Sequence, residues 1–241
     1  MTRKVCWLLA VLLSFIGVSS AHADTIAFYP PVGNSGSSTA TFGSIAVQGY
    51  YYNGSAWTTT GANIFGRNET NDHGIGICNP AEVASCGTGS GGGDWNELSN
   101  ANNAELIRLT RPTGSSWVSV QLSSLDGNGY SSDPANAGYW ERGQLWASAT
   151  GVPGSWTLIC NFGAYGTGTC VNVGGTSVEP IFMIPAAYAG TPYLFFRPYD
   201  WRPGTSTNND FLVMAATVPE PATLGMLATG LFGLILVRRR K

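Results

Sequence analysis

Between Thr25 and Met214 the chain sustains no helical repeat of apolar residues. Short runs of β-branched and aromatic residues recur instead, broken by Gly, Asn, Ser and Pro every dozen or so positions. That pattern predicts an all-β domain, an antiparallel β-sandwich or jelly roll of about 8–9 strands. Thr25–Tyr29 opens it with Ile26 and Phe28 on one face, and Ala46–Tyr52 follows a Gly/Ser-rich loop. ELIRLT, RPTGSS and WVSVQL, from Glu105 to Leu122, read as a hairpin whose second strand places Val118, Val120 and Leu122 on one buried face. A second hairpin joins Gln144–Ala149 to Ser155–Asn161, with Leu145, Ala147 and Ala149 set against Trp156, Leu158 and Cys160. Ile181–Ile184, Tyr193–Arg197 and Phe211–Met214 complete the set.

Gly is abundant, 32 of 241 residues, and charged residues make up only 11%. The 44% hydrophobic content nevertheless supplies a core, so the glycines belong to turns and not to a disordered chain. Arg3 and Lys4 precede an apolar stretch from Val5 to Val18, and Ala21-His22-Ala23 offers small residues at the positions a signal peptidase reads. Residues 1–23 therefore read as a signal peptide cleaved between Ala23 and Asp24. Cys6 leaves with it.

At the other end, Ala222 to Val237 is an apolar run of 16 residues, ended by Arg238, Arg239, Arg240 and Lys241. The run sits just below the usual spanning length of roughly 17–25 residues, and the cations would stay in the cytoplasm as a stop-transfer cluster. Pro219-Glu220-Pro221 lies just before it, and the two prolines keep that segment extended and open to a protease. The chain thus divides into a signal peptide, an exported domain over 24–217 and a tail over 218–241.

This tripartite tail resembles the PEP-CTERM sorting signal of exported proteins in Gram-negative bacteria that make exopolysaccharide. The resemblance implies that an exosortase in the inner membrane cuts near Pro219-Glu220-Pro221. The tail would then be a transient transmembrane helix, and the domain would pass to the cell surface or extracellular matrix. Its processing partners would be signal peptidase and exosortase. A permanent single-pass anchor is the alternative. The stretch around His73-Gly74-Ile75-Gly76 and Asn96-Glu97 also resembles a domain recurrent in such proteins, which implies a β-sandwich and no particular activity.

Of 12 Lys+Arg, two lie in the signal and four in the tail, leaving six, all arginine. Of 14 Asp+Glu, only Glu220 lies in the tail, so the domain carries a net charge near −7. Without a basic cluster, it is a poor partner for nucleic acid. Four cysteines remain after export, and an even count in an oxidising compartment reads as two disulfides. Three pairings are possible; the local ones, Cys78–Cys86 and Cys160–Cys170, each close a short Gly- or Pro-containing loop. Neither pair has zinc-ligand spacing.

The loop from Gly87 to Glu105 is rich in oxygens on a glycine-rich backbone, and Asp94, Asn96 and Glu97 are candidate ligands for a structural calcium ion. The competing reading is a polar loop satisfied by its own side chains; no other cofactor is indicated. Catalysis finds little support. His73 is the one histidine of the domain, no GxSxG elbow is present, and carboxylate pairs such as Glu97, Glu105, Asp126 and Glu141 are commonplace. A glycan platform is the stronger rival, with Tyr51, Tyr139, Trp140 and Trp201 as candidate stacking rings beside Asn, Ser and Asp. The sequence thus points to a non-catalytic, structural or adhesive protein of exopolysaccharide or biofilm. A specific carbohydrate-binding module is second, and a glycoside-active enzyme third.

Overall fold

A computed structural model describes residues 23–29, 31, 33–69, 72–81, 97–100, 103–125, 141–164, 168–199 and 209–219. The stretches 1–22 and 220–241 lie outside the described residues, as do both expected membrane segments, Glu220, Pro221 and the basic cluster.

The fold is all-β and antiparallel, with 15 strands among the described residues. The strands are β1 (Ala23–Ala27), β2 (Gly33–Asn34), β3 (Thr39–Phe42), β4 (Ile45–Tyr52), β5 (Trp57–Thr58), β6 (Asn63–Glu69), β7 (Asp72–Cys78) and β8 (Glu105–Thr110). They continue with β9 (Ser119–Ser123), β10 (Arg142–Ser148), β11 (Thr157–Gly163), β12 (Asn172–Gly175) and β13 (Pro180–Met183). A four-residue helix, α1 (Ala186–Ala189), precedes β14 (Tyr193–Pro198) and β15 (Leu212–Pro219). The first sheet runs β12-β13-β9-β15-β7-β6-β2 with β1 also on β15, and the second runs β11-β10-β14-β8-β4-β3 with β5 on β4. Six strands lie outside the nine expected: β2, β3, β5 and β12 are only two to four residues long, too short to carry a readable alternation, and in β6 and β7 glycines at 66, 74 and 76 interrupt it.

The two sheets face each other across one core. Ile75, Ile77, Val120, Leu122, Phe182 and Val213 come from the first sheet; Val47, Ile107, Leu109, Leu145, Leu194 and Phe196 come from the second. Alternation brings this about: in β8 Ile107 and Leu109 point inward, and in β14 Leu194 and Phe196 do the same.

The expected hairpin from Glu105 to Leu122 does not form. β8 pairs with β4 and β14 in the second sheet, whereas β9 pairs with β13 and β15 in the first. The intervening loop crosses from sheet to sheet and is pinned as it does so. Arg111 donates from Nη2 to the Gly190 carbonyl at 2.8 Å, and the Trp117 indole N–H donates to the Thr191 carbonyl at 2.8 Å. The segment gripped, between α1 and β14, is itself a crossing from the first sheet to the second, so the two crossings brace each other. Val118, read as buried, is 39% exposed beside the crossing, while Val120 and Leu122 are in the core.

The second expected hairpin is present as β10 and β11, with a correction. Leu145 opposes Cys160, but a bulge follows, so Trp146 opposes Leu158 and that leucine is turned to solvent. Ala149 is likewise exposed. β15 extends beyond the expected Met214 to Pro219, and along Ala215–Pro219 it pairs with β1 residue by residue, Ala23 opposite Pro219. Ala23 and Asp24, the residues flanking the expected signal cleavage, are therefore part of this ladder. Gly74 marks a tight point in the first sheet: at φ +131°, a Cβ there would meet the Val213 carbonyl oxygen at 2.5 Å.

Candidate functional site

An antiparallel sheet with one face on the core ordinarily shows polar residues on the other. The second sheet mixes large apolar side chains with polar ones there. With Val47, Ile107, Leu145 and Leu194 directed inward, the outward positions of β4, β8, β10 and β14 include Tyr50, Leu106, Trp146, Tyr193 and Phe195. Tyr50, Leu106 and Phe195 are buried there, with Trp57, Trp146, Trp156 and Tyr193 half-buried around them. The rings form a continuous chain. Centroids of Tyr52 and Trp57 lie 5.6 Å apart, Trp57 and Trp156 6.4 Å, Trp156 and Trp146 5.5 Å, and Trp156 and Phe195 5.1 Å.

Arginines are laid over these rings. Arg197 sits 4.7 Å from the Trp146 centroid and 5.5 Å from that of Trp156; Arg108 sits 5.8 Å from Tyr50 and 5.2 Å from Tyr193. Burial lowers the Arg197 pKa to about 10, which still leaves it charged at neutral pH. Its Nε and Nη2 donate to Gln144 Oε1 at 2.8 and 2.6 Å, and Gln144 Nε2 donates to Asn161 Oδ1 at 3.0 Å. Burial raises the Tyr50 pKa, against the opposing pull of Arg108. The face therefore combines flat apolar rings with a string of amide and guanidinium groups.

A different polar cluster lies at the Arg67 end of the molecule. Arg67 Nη1 pairs with Glu97 Oε1, and Nη2 with Asp72 Oδ2 at 2.7 Å. The Ser124 hydroxyl donates to the same Glu97 oxygen at 2.8 Å. Burial, followed by the neighbouring Asp210 carboxyl, raises the Glu97 pKa well above the usual carboxylate range against the opposing pull of Arg67. Nearby, Glu105 accepts from Asn79 Nδ2 and from the Ser99 amide, both at 2.9 Å.

The residues expected from sequence are divided between these regions. Tyr51 packs against the main core, not outward, because it shares the parity of Ile45 and Val47; its neighbours Tyr50 and Tyr52 face the aromatic layer. Tyr139, Trp140 and Trp201 lie outside the described residues, as do Asp94 and Asn96. Glu97 is described, and its Oε1 is engaged by Arg67 and Ser124. Among the described residues no group of three His, Cys, Asp or Glu is placed to hold a metal ion. Cys160 and Cys170 form a disulfide with Cα atoms 5.0 Å apart. Cys78 is also disulfide-bonded, and Cys86 lies outside the described residues.

His73 Nδ1 meets Glu179 Oε1 at 3.1 Å, and Ser123 Oγ donates to that oxygen at 3.2 Å while accepting from the His73 amide at 3.0 Å. The serine is thus directed at the carboxylate and the backbone, not at the imidazole as a nucleophile would be. The sequence carries a further signal for the aromatic face. YLFFRP is apolar on both parities, which requires an apolar layer on each side of β14.

A family model described as the PEP-CTERM protein-sorting motif matches residues 217–241. The chain carries a PEP-CTERM sorting signal. A PEP-CTERM protein is sorted by an exosortase to the surface, by a route that passes through the membrane. Here the matched segment begins inside β15, so the folded sheet runs into Pro219, the first residue of the sorting motif, without a linker. Among the described residues no helix is long and apolar enough to cross a membrane; Ala222 to Val237 is not among them. No curated protein and no solved structure matches the chain.

Proposed function

We propose that this PEP-CTERM protein is a non-catalytic structural or adhesive component of a polysaccharide matrix. The observation that supports the reading is the outer face of the second sheet, where half-buried Trp57, Trp146 and Trp156 adjoin Gln144, Asn161 and Arg197. Aromatic faces cover the C–H side of a sugar ring, and adjacent amides and guanidinium groups bond its hydroxyls. Keeping tryptophans at a solvent-facing layer forgoes part of their burial energy, about 25 cal/mol per Å² left wet. A glycan partner would recover it. In this reading export begins with removal of a signal peptide before Asp24, and the apolar tail anchors the chain transiently in the inner membrane until exosortase cuts it.

The test is retention of the protein in matrix isolated from the producing cells. Wild-type protein should stay with the polysaccharide through washing, whereas a Trp57→Ala, Trp156→Ala double variant should be released. Equal retention of the folded double variant would sink the assignment of this face.

A further inference from the structure

We infer that the outer face of the second sheet binds an acidic polysaccharide, one bearing uronate-type carboxylates; this rests on the glycan-binding reading above and narrows it. The first observation is charge. The domain's net charge is near −7, yet the outward positions of β4, β8, β10 and β14 hold Arg108, Arg142 and Arg197 and no Asp or Glu. Half of the six arginines of the exported domain therefore lie on one face of one sheet.

The second observation is their order. The Tyr199 amide donates to the Arg142 carbonyl at 3.0 Å, Arg197 is two residues back along β14, and Phe195, two further, pairs with Arg108. Each step moves one strand across and two residues along, so the three form a diagonal with Cα atoms about 8 Å apart. A polymer laid along it meets Arg142 and Arg108 at the two ends, with Arg197, 8% exposed and bonded to Gln144, between them.

The third is how the cations are held. Arg108 lies against Tyr50 and Tyr193, and Arg142 lies 4.7 Å from the Tyr199 centroid. Rings against the flat face of a guanidinium leave its in-plane N–H groups for a planar carboxylate. Arg108 Nη1 donates to the Gly151 carbonyl at 2.9 Å, and its Nε is buried without a hydrogen-bond partner. Among the described residues neither Arg108 nor Arg142 has a carboxylate partner; ion pairs there belong to Arg67 and His73. An anionic sugar chain would supply the carboxylates that the described outward positions of this face lack.

Affinity electrophoresis of the processed protein through gels containing polygalacturonate, dextran or double-stranded DNA tests the inference. Polygalacturonate should retard it, with retardation falling as salt rises from about 0.02 to 0.5 M. An Arg108→Gln, Arg142→Gln double variant should lose affinity at least about tenfold, and Arg108→Lys should retain more than Arg108→Gln. Equal retardation by dextran would overturn the acidic preference while leaving the glycan-binding reading intact; equal retardation by DNA would show a generic polyanion effect and overturn it too. The salt series on the unaltered protein decides the matter even if a variant misfolds.

Discussion

The Arg67 cluster and the outer face of the second sheet use the same ionic side chains to opposite ends. At the first, Arg67 is buried between Glu97 and Asp72 and the serine of the next strand end completes the network. At the second, arginines rest on tyrosine and tryptophan rings, and the sheet positions around them carry no acid. A buried charge left without its partner is expensive, so the first arrangement is internally closed. At the outer face neither Arg108 nor Arg142 has a carboxylate partner among the described residues, so the second can take one from another molecule. Acid and base have been separated by region, and the separation distinguishes what holds the fold from what can contact another molecule.

The largest expected effect comes from opening the closed cluster. At a pH high enough to ionise Glu97, Arg67→Ala leaves that carboxylate buried without its cation and should cost about 3–5 kcal/mol in chemical denaturation; a loss below about 1 kcal/mol would dissolve the contrast between the two regions. Acid–base titration of stability sharpens it. Folding raises the Glu97 pKa, so the folded protein keeps a proton that the unfolded chain releases near pH 4.3. Stability from this group is therefore complete below that pH and falls as pH climbs through the higher folded value. Glu97→Gln should flatten that decline in urea melts run across the pH range, and an unchanged profile would show that Glu97 is not its source.

On the open face the order of effects reverses between stability and binding. Trp156→Ala removes a half-buried ring that touches Trp57, Trp146 and Phe195, and should cost about 1–2 kcal/mol. Glycan retention should fall in the same variant. Arg108→Gln should cost no more than about 1 kcal/mol, the scale of an exposed cation–π contact, yet weaken polygalacturonate retardation. If Arg108→Gln destabilised the fold as strongly as Arg67→Ala, both regions would have to be counted as scaffold.

The strands of this fold were largely legible because inward alternation is a local property: Ile107 and Leu109, or Leu145 and Ala147, announce themselves within five residues. Pairing was not, because it depends on which sheet completes the core. The eight residues from Arg111 to Val118 are long enough for either a hairpin or a crossing, and the choice was made by Arg111 and Trp117 gripping residues 190 and 191. The aromatic face was harder to read for a related reason. Tyr193 and Phe195 alternate with core residues inside β14, and the bulge after Leu145 turns Trp146 and Leu158 to the same outer side. The sorting motif was legible because its recognition depends on residue order alone.

The ladder between β1 and β15 has a mechanical consequence. Ala23 and Pro219 face each other at one end of an antiparallel pair, so a pull between those two residues would peel the ladder open a few bonds at a time. A pull between Pro219 and the aromatic face acts differently. That load passes from one sheet to the other through the core and the two braced crossings, and many contacts must yield together. A protein held by its glycan on one sheet and by its last strand on the other would resist shear far better than it resists peeling.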